Sequence, residues 1–295
     1  MTEAAHEIAL AQEVSIQSDT LRAVFRPAAG GRMARLHHAD HGDLLVPLGP
    51  EPFAPAAWPK AGAFPLFPFH NKLQTGSFRI DGREVRLRPN MADGIGVMHG
   101  PSHCRAWRVS GHSKRHIQLA LDYTADEDWP FDFQAQQRFA LSGNRLTIEL
   151  CLINTGSHPM PGGIGWHPYL QPSAEGLIDP HAARQWHPFD RECLSRPVQT
   201  TDAAPAIRLT TGQTQHYSGW RDVTALIGAG ARISLEARDG LTCLAALHKN
   251  AYLCLEPVSH VAGALDASGP SPFEMGMRRL GPGDSLSGTV VLEVS

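Results

Sequence analysis

Along much of the chain apolar and polar residues alternate with a period of two, the repeat of a strand that buries one face and wets the other. The clearest case is FDFQAQQRFAL, residues 131–141, followed by RLTIELCLIN, residues 145–154. Ser142, Gly143 and Asn144 separate the two runs and are turn formers, so the pattern predicts a long β-hairpin. A second hairpin is predicted where residues 76–80 and 83–88 flank Asp81 and Gly82, a dipeptide suited to the positive φ angles of a type I′ turn. Alternation and β-branched content predict further strands at 20–26, 33–37, 107–109, 116–123, 231–237, 241–248, 251–256 and 287–294. Hardly any segment carries an apolar stripe at helical spacing. With 28 glycines and 23 prolines punctuating the runs, the expected fold is all-β: a large twisted antiparallel β-sandwich forming one domain over residues 1–295. No internal repeat or low-complexity linker divides it. The stretch EPFAPAAWPKAGAFPLFPFHN, residues 51–71, is too rich in proline to be an interior strand throughout. It is expected to be an ordered loop over one face, either walling a pocket or closing an end of the sandwich.

Charge removes several classes of partner. Twenty-six basic against 29 acidic residues give a net charge of −3, with no basic run to meet a phosphate backbone or a lipid surface, so no nucleic-acid partner and no membrane association are expected. No run of about 18 apolar residues is present, and the first residues, MTEAAHEIALAQEV, lack the basic start of a signal peptide, so the expected compartment is the cytoplasm. The five cysteines, Cys104, Cys151, Cys193, Cys243 and Cys254, are widely spaced and odd in number, which fits reduced, buried thiols. The 16 histidines include no H-E-x-x-H, and His37, His38 and His41 lie in a polar turn, so no metal is expected. Nothing in the pattern fixes an oligomeric state.

Two polar residues stand at the ends of apolar segments, each directly before a proline: His167 in GGIGWHPYL and Glu256 in AYLCLEPVSH. Proline holds the preceding residue extended, which suits a side chain aimed at a ligand, though ordinary strand-end residues look the same. His99, in GIGVMHGPSHC, lies beside a glycine that permits close backbone approach. Asn71 and Lys72 follow the aromatic loop and can offer an amide and an ammonium to hydroxyl groups. Trp58, Trp166 and Trp220 have the apolar faces that stack on sugars, and equally the bulk that fills cores.

Taken in order, PAAGGRMARLHHADHGDLLVPL, FPLFPFHNKLQTGSFRIDGREVRLRPN, MHG, INTGSHPMPGGIGWHPYL, YSGW and LEPVSH resemble the aldose 1-epimerase, or galactose mutarotase-like, family over nearly the whole chain. The resemblance implies a galactose mutarotase-like supersandwich, a small-molecule sugar as partner, and interconversion of α and β anomers without a cofactor. It implies that His167 is the general acid toward the ring oxygen and Glu256 the general base for the anomeric hydroxyl. His99 would bond near the ring oxygen, and Asn71 would lie in the sugar pocket. Two positions depart from the family pattern. Lys72 stands in place of an arginine, and the position of a sugar-binding aspartate falls on Thr214, counted from YSGW. The rival expectation is a carbohydrate-binding or sugar-sensing protein that keeps the cleft without turnover. A paired acid and base favours the enzyme, since a binder needs neither.

Overall fold

The computed structural model describes residues 13–54, 58–186, 197–199, 206–228, 230–266 and 271–295. Eighteen strands join into one continuous sheet, and every strand pairing among the described residues is antiparallel. The predicted long hairpin is there: Phe133–Ser142 pairs with Arg145–Asn154, in register from Phe133 opposite Asn154 to Ser142 opposite Arg145. Its alternation sends Phe133, Ala135, Phe139 and Leu141 inward from one strand and Leu146, Ile148, Leu150 and Leu152 from the other. Each of these Phe, Leu and Ile burials contributes about 1.5–3 kcal/mol before the entropy of ordering is counted. The sheet continues through Ser285–Val294 and Ala231–Asp239 to Thr214–Ile227 and Leu177–Trp186. It curls so that its inner face encloses one contiguous core that includes Phe25, Phe139, Trp166 and Tyr217.

The short hairpin also forms as expected, with Ser77–Ile80 against Arg83–Arg86 and positive φ at both Asp81 and Gly82. Two long strands were not legible in the sequence. Leu177–Trp186 reads LIDPHAARQW, with a proline and little alternation, because much of its length is only half-covered. Thr214–Ile227 changes partners midway. Residues 214–218 pair with Cys243–Lys249, whereas residues 222–227 pair with Ala231–Asp239. Gly219, at φ 64°, makes the bend between the two halves.

The loop expectation for residues 51–71 needs correcting, apart from 55–57, which lie outside the described residues. Ala63–Leu66 is a fully buried strand of the main sheet, paired with Gly165–Pro168. Pro65 fits because pairing on the strand's other side reduces to one contact, Met33 with Ala63, so no continuous ladder needs the missing N–H. Cys104, Cys151, Cys243 and Cys254 are free thiols, and Cys193 lies outside the described residues. No helix among the described residues is long and apolar enough to cross a membrane.

Candidate active site

Strand register brings the two proline-flanked residues together. Gly165 stands opposite Val258, so two residues further along His167 stands opposite Glu256 on the same face. The row extends in both directions, from Phe64 beside His167, across Glu256 to Ala245, His216 and Trp186. Directly opposed residues share a face, so one line of side chains crosses six strands.

His167 Nε2 lies 3.3 Å from Glu256 Oε1. The two residues are only 6% and 4% exposed, and His167 Nδ1 and Glu256 Oε2 are buried without a hydrogen-bond partner. Burial penalises the charged form of each group. It pushes the Glu256 carboxyl up to about 8 and the His167 imidazole down to about 3. Across that interval the pair holds one proton and no net charge, whichever of the two carries it.

His167 is held from behind. Its ring stacks on Phe64 at 4.6 Å, and the Arg32 guanidinium lies 4.6 Å over the Phe64 ring. Arg32 is itself buried and donates from Nη1 to the carbonyl of Ala61 at 2.6 Å. Its positive charge is a further cause of the lowered His167 pKa, after burial.

His99 enters from the side, its ring 5.6 Å from that of His167 and nearly perpendicular to it. Asn71 fixes it by a reciprocal pair of bonds: the Asn71 N–H donates to His99 Nδ1, and the His99 N–H donates to the Asn71 carbonyl, both at 2.9 Å. Both residues take positive φ, 62° for Asn71 and 58° for His99. Asparagine and histidine tolerate that region better than most residues. Since burial keeps His99 neutral and Nδ1 accepts a bond, its ring proton is on Nε2. Asn71 Oδ1 accepts from the Lys72 N–H, so its side-chain NH2 is the group it can offer to a ligand.

The other expected contacts are placed differently. The Lys72 ammonium is 3.1 Å from Asp93 Oδ2, a carboxylate already anchored by the N–H groups of Ile95 and Gly96. Trp166 is wholly buried, and as His167's neighbour on an extended strand it faces the opposite side, into the core. Trp220 is likewise a core residue, donating to the Leu241 carbonyl. Trp58 is the tryptophan that walls the site, 5.2 Å from the His99 ring, with Lys60 Nζ 4.5 Å over its own ring. Thr214 shares the face of the row but lies one step off it, opposite Leu247. His216 is the residue of that strand in line with Glu256.

Sequence reasoning did not single out Arg32, Phe64, His70, His216 or His260. His70 and His260 flank the site, their rings 4.5 Å apart, with His216 6.4 Å from His70. All three are buried and held neutral, chiefly by desolvation. The available signal was position: His70 directly precedes Asn71, and His260 closes the LEPVSH motif.

Known proteins share this fold. An uncharacterised Escherichia coli K12 protein, YphB, is 27% identical over 252 residues, covering 79% of this chain and 84% of that one. The crystal structure of a candidate aldose 1-epimerase from E. coli K12 superposes with a TM-score of 0.81 at 23% identity, covering 96% of this chain and 99% of the other. A galactose mutarotase-like protein from Clostridium acetobutylicum gives a TM-score of 0.78 at 17% identity, covering 96% and 95% of the two chains. These likenesses carry the fold. The aldose 1-epimerase family model matches residues 12–238, a span that includes His99 and His167, and the chain belongs to that family.

Proposed function

We propose that the protein is an aldose 1-epimerase, interconverting the α and β anomers of a free sugar by acid–base ring opening and reclosure. The carrying observation is the pair itself, a buried imidazole and carboxyl 3.3 Å apart, with an oxygen of Glu256 left unpartnered.

Ring opening needs the anomeric O–H proton removed while the ring oxygen gains one. With the shared proton on His167, the Glu256 carboxylate accepts the O1 proton as His167 Nε2–H protonates the ring oxygen, and the C1–O5 bond breaks. Glu256 is then protonated and His167 neutral. Rotation about C1–C2 presents the other carbonyl face. Reversal of both transfers closes the ring as the opposite anomer and restores the pair. Each positioned group contributes about 10²–10⁴-fold. His99 Nε2–H donates to the ring-oxygen side and Asn71 presents its NH2 nearby.

The row sets the direction of the sugar. Adjacent strands are about 4.8 Å apart, so His216 is roughly 10 Å across the sheet from Glu256 with only the Ala245 methyl between them. That floor takes the length of a pyranose ring, with the anomeric carbon at Glu256 and the distal hydroxyls toward His216. Because Lys72 is paired with Asp93 and His216 is held neutral, neither offers a free charge to the distal hydroxyls, and galactose and glucose are expected to bind with high KM. The test is α/β exchange followed by NMR on chelator-treated protein over a panel of free and phosphorylated aldoses. Acceleration of at least one sugar is expected; none on any member would overturn the reading.

A further inference from the structure

One buried thiol beside the His167–Glu256 pair plays no part in that reaction. Cys254 precedes Glu256 by two residues on the Tyr252–Val258 strand and therefore points to the same face. The ligating atoms of His167, Cys254 and Glu256 all lie within 4.8 Å of one another. We propose that these three side chains form an inhibitory zinc site built onto the proposed catalytic pair.

The geometry is close to what the ion requires. Zinc bonds of about 2.0 Å to nitrogen and oxygen and about 2.3 Å to sulfur, arranged tetrahedrally, put ligand atoms roughly 3.3–3.6 Å apart. The imidazole and carboxylate are already at 3.3 Å, and the Cys254 sulfur, within 4.8 Å of both, has only about 1 Å to close to the ligand separations above. The second carboxylate oxygen, buried without a partner, is available to the ion. One thiolate, one imidazole and one carboxylate suit zinc and leave a fourth position for water. Binding replaces the S–H bond of Cys254 with a Zn–S bond and releases that proton, together with the one His167 and Glu256 share. The ion thereby occupies the acid's lone pair and the base's oxygen at once, so zinc excludes sugar chemistry competitively.

The inhibitory consequence rests on the epimerase reading; metal binding does not, and the two are measured separately. Zinc chloride titrated into chelator-treated protein in a calorimeter is expected to bind one ion per chain. Cobalt chloride is expected to give the wild-type protein a near-ultraviolet thiolate-to-metal charge-transfer band, a readout that needs neither a variant nor turnover. Cys254→Ser should abolish that band and weaken zinc binding by more than about 10-fold, since even losing a group that only supports a ligand costs about that much. Anomer exchange should fall with zinc occupancy and return on adding chelator. Absence of stoichiometric binding, cobalt bound without the band, or equal zinc affinity in Cys254→Ser would overturn the site. Unchanged exchange rates at full zinc occupancy would overturn the inhibition alone.

Discussion

Burial moves both Glu256 and His167 away from their usual protonation, and the proposed reaction depends on that shift. In metal-free protein, turnover is expected to fall above about pH 8, where the pair loses its only proton. Glu256→Gln and His167→Asn should each lower kcat by about 10²-fold or more. A variant retaining near wild-type turnover would remove that residue from the mechanism. The same burial has a stability consequence of definite sign. Glu256 titrates higher in the folded than in the unfolded chain, so the folded state binds the extra proton and stability declines as pH rises from about 4.5 to about 8. Glutamine carries no such penalty. Glu256→Gln should therefore melt at a higher temperature than wild type at pH 9, with the difference shrinking toward pH 4.5, as thermal unfolding scans will show.

Strands set the spacing that those side chains need. Gly165 sits one step along the strand from the His167–Glu256 row, opposite Val258, and a Cβ there would come within 2.7 Å of Val258 Cγ1 and 3.1 Å of the Pro257 carbonyl. Gly165→Ala is expected to press on Val258 and on the Pro257 carbonyl and so to shift the strand of His167 relative to that of Glu256. Overpacking of this kind costs about 1–3 kcal/mol, and a displacement of a few tenths of an ångström falls on the 3.3 Å contact. The expected result is a folded protein with kcat lowered at least about 10-fold and a smaller change in KM. Unchanged kcat would mean that the spacing is not set by this strand pair. Arg32, one element further back, positions His167 through Phe64. Arg32→Met is expected to lower kcat and to raise the His167 pKa followed by NMR titration, a shift that a merely structural role would not produce.

At the scale of the molecule, six histidines among the described residues have imidazoles that burial shifts toward the neutral form: His70, His99, His103, His167, His216 and His260. Each titrates lower in the folded chain, mainly through desolvation. The unfolded chain binds more protons below about pH 6.5, so stability is complete above that pH and is lost as pH falls. Several protons are expected to be taken up on unfolding near pH 5, seen as a steep fall in melting temperature between pH 6.5 and 5. A flat profile there would show that these imidazoles reach solvent. Glu256 and Asp266 slope the other way but are outnumbered across this window.

The sequence by itself determined the all-β class, both hairpins and most strands, because alternation and turn chemistry are local and each strand reports its own buried face. It also marked His167, Glu256, His99 and Asn71, through the prolines, glycines and motif words around them. Only the tertiary structure decided what those residues meet. The Thr214–Ile227 strand was hidden because it serves two partners, and the Ala63–Leu66 strand because prolines surround it. Trp166 lies in the core by the parity of one residue along a strand, a choice that composition cannot express. Lys72 was spent on Asp93, 21 positions away in sequence. The row from Phe64 to His216, the Arg32 support behind it and the thiol of Cys254 beside it depend on register between strands remote in sequence. Such pairings are set by the packing of the whole sheet, and no local pattern records them.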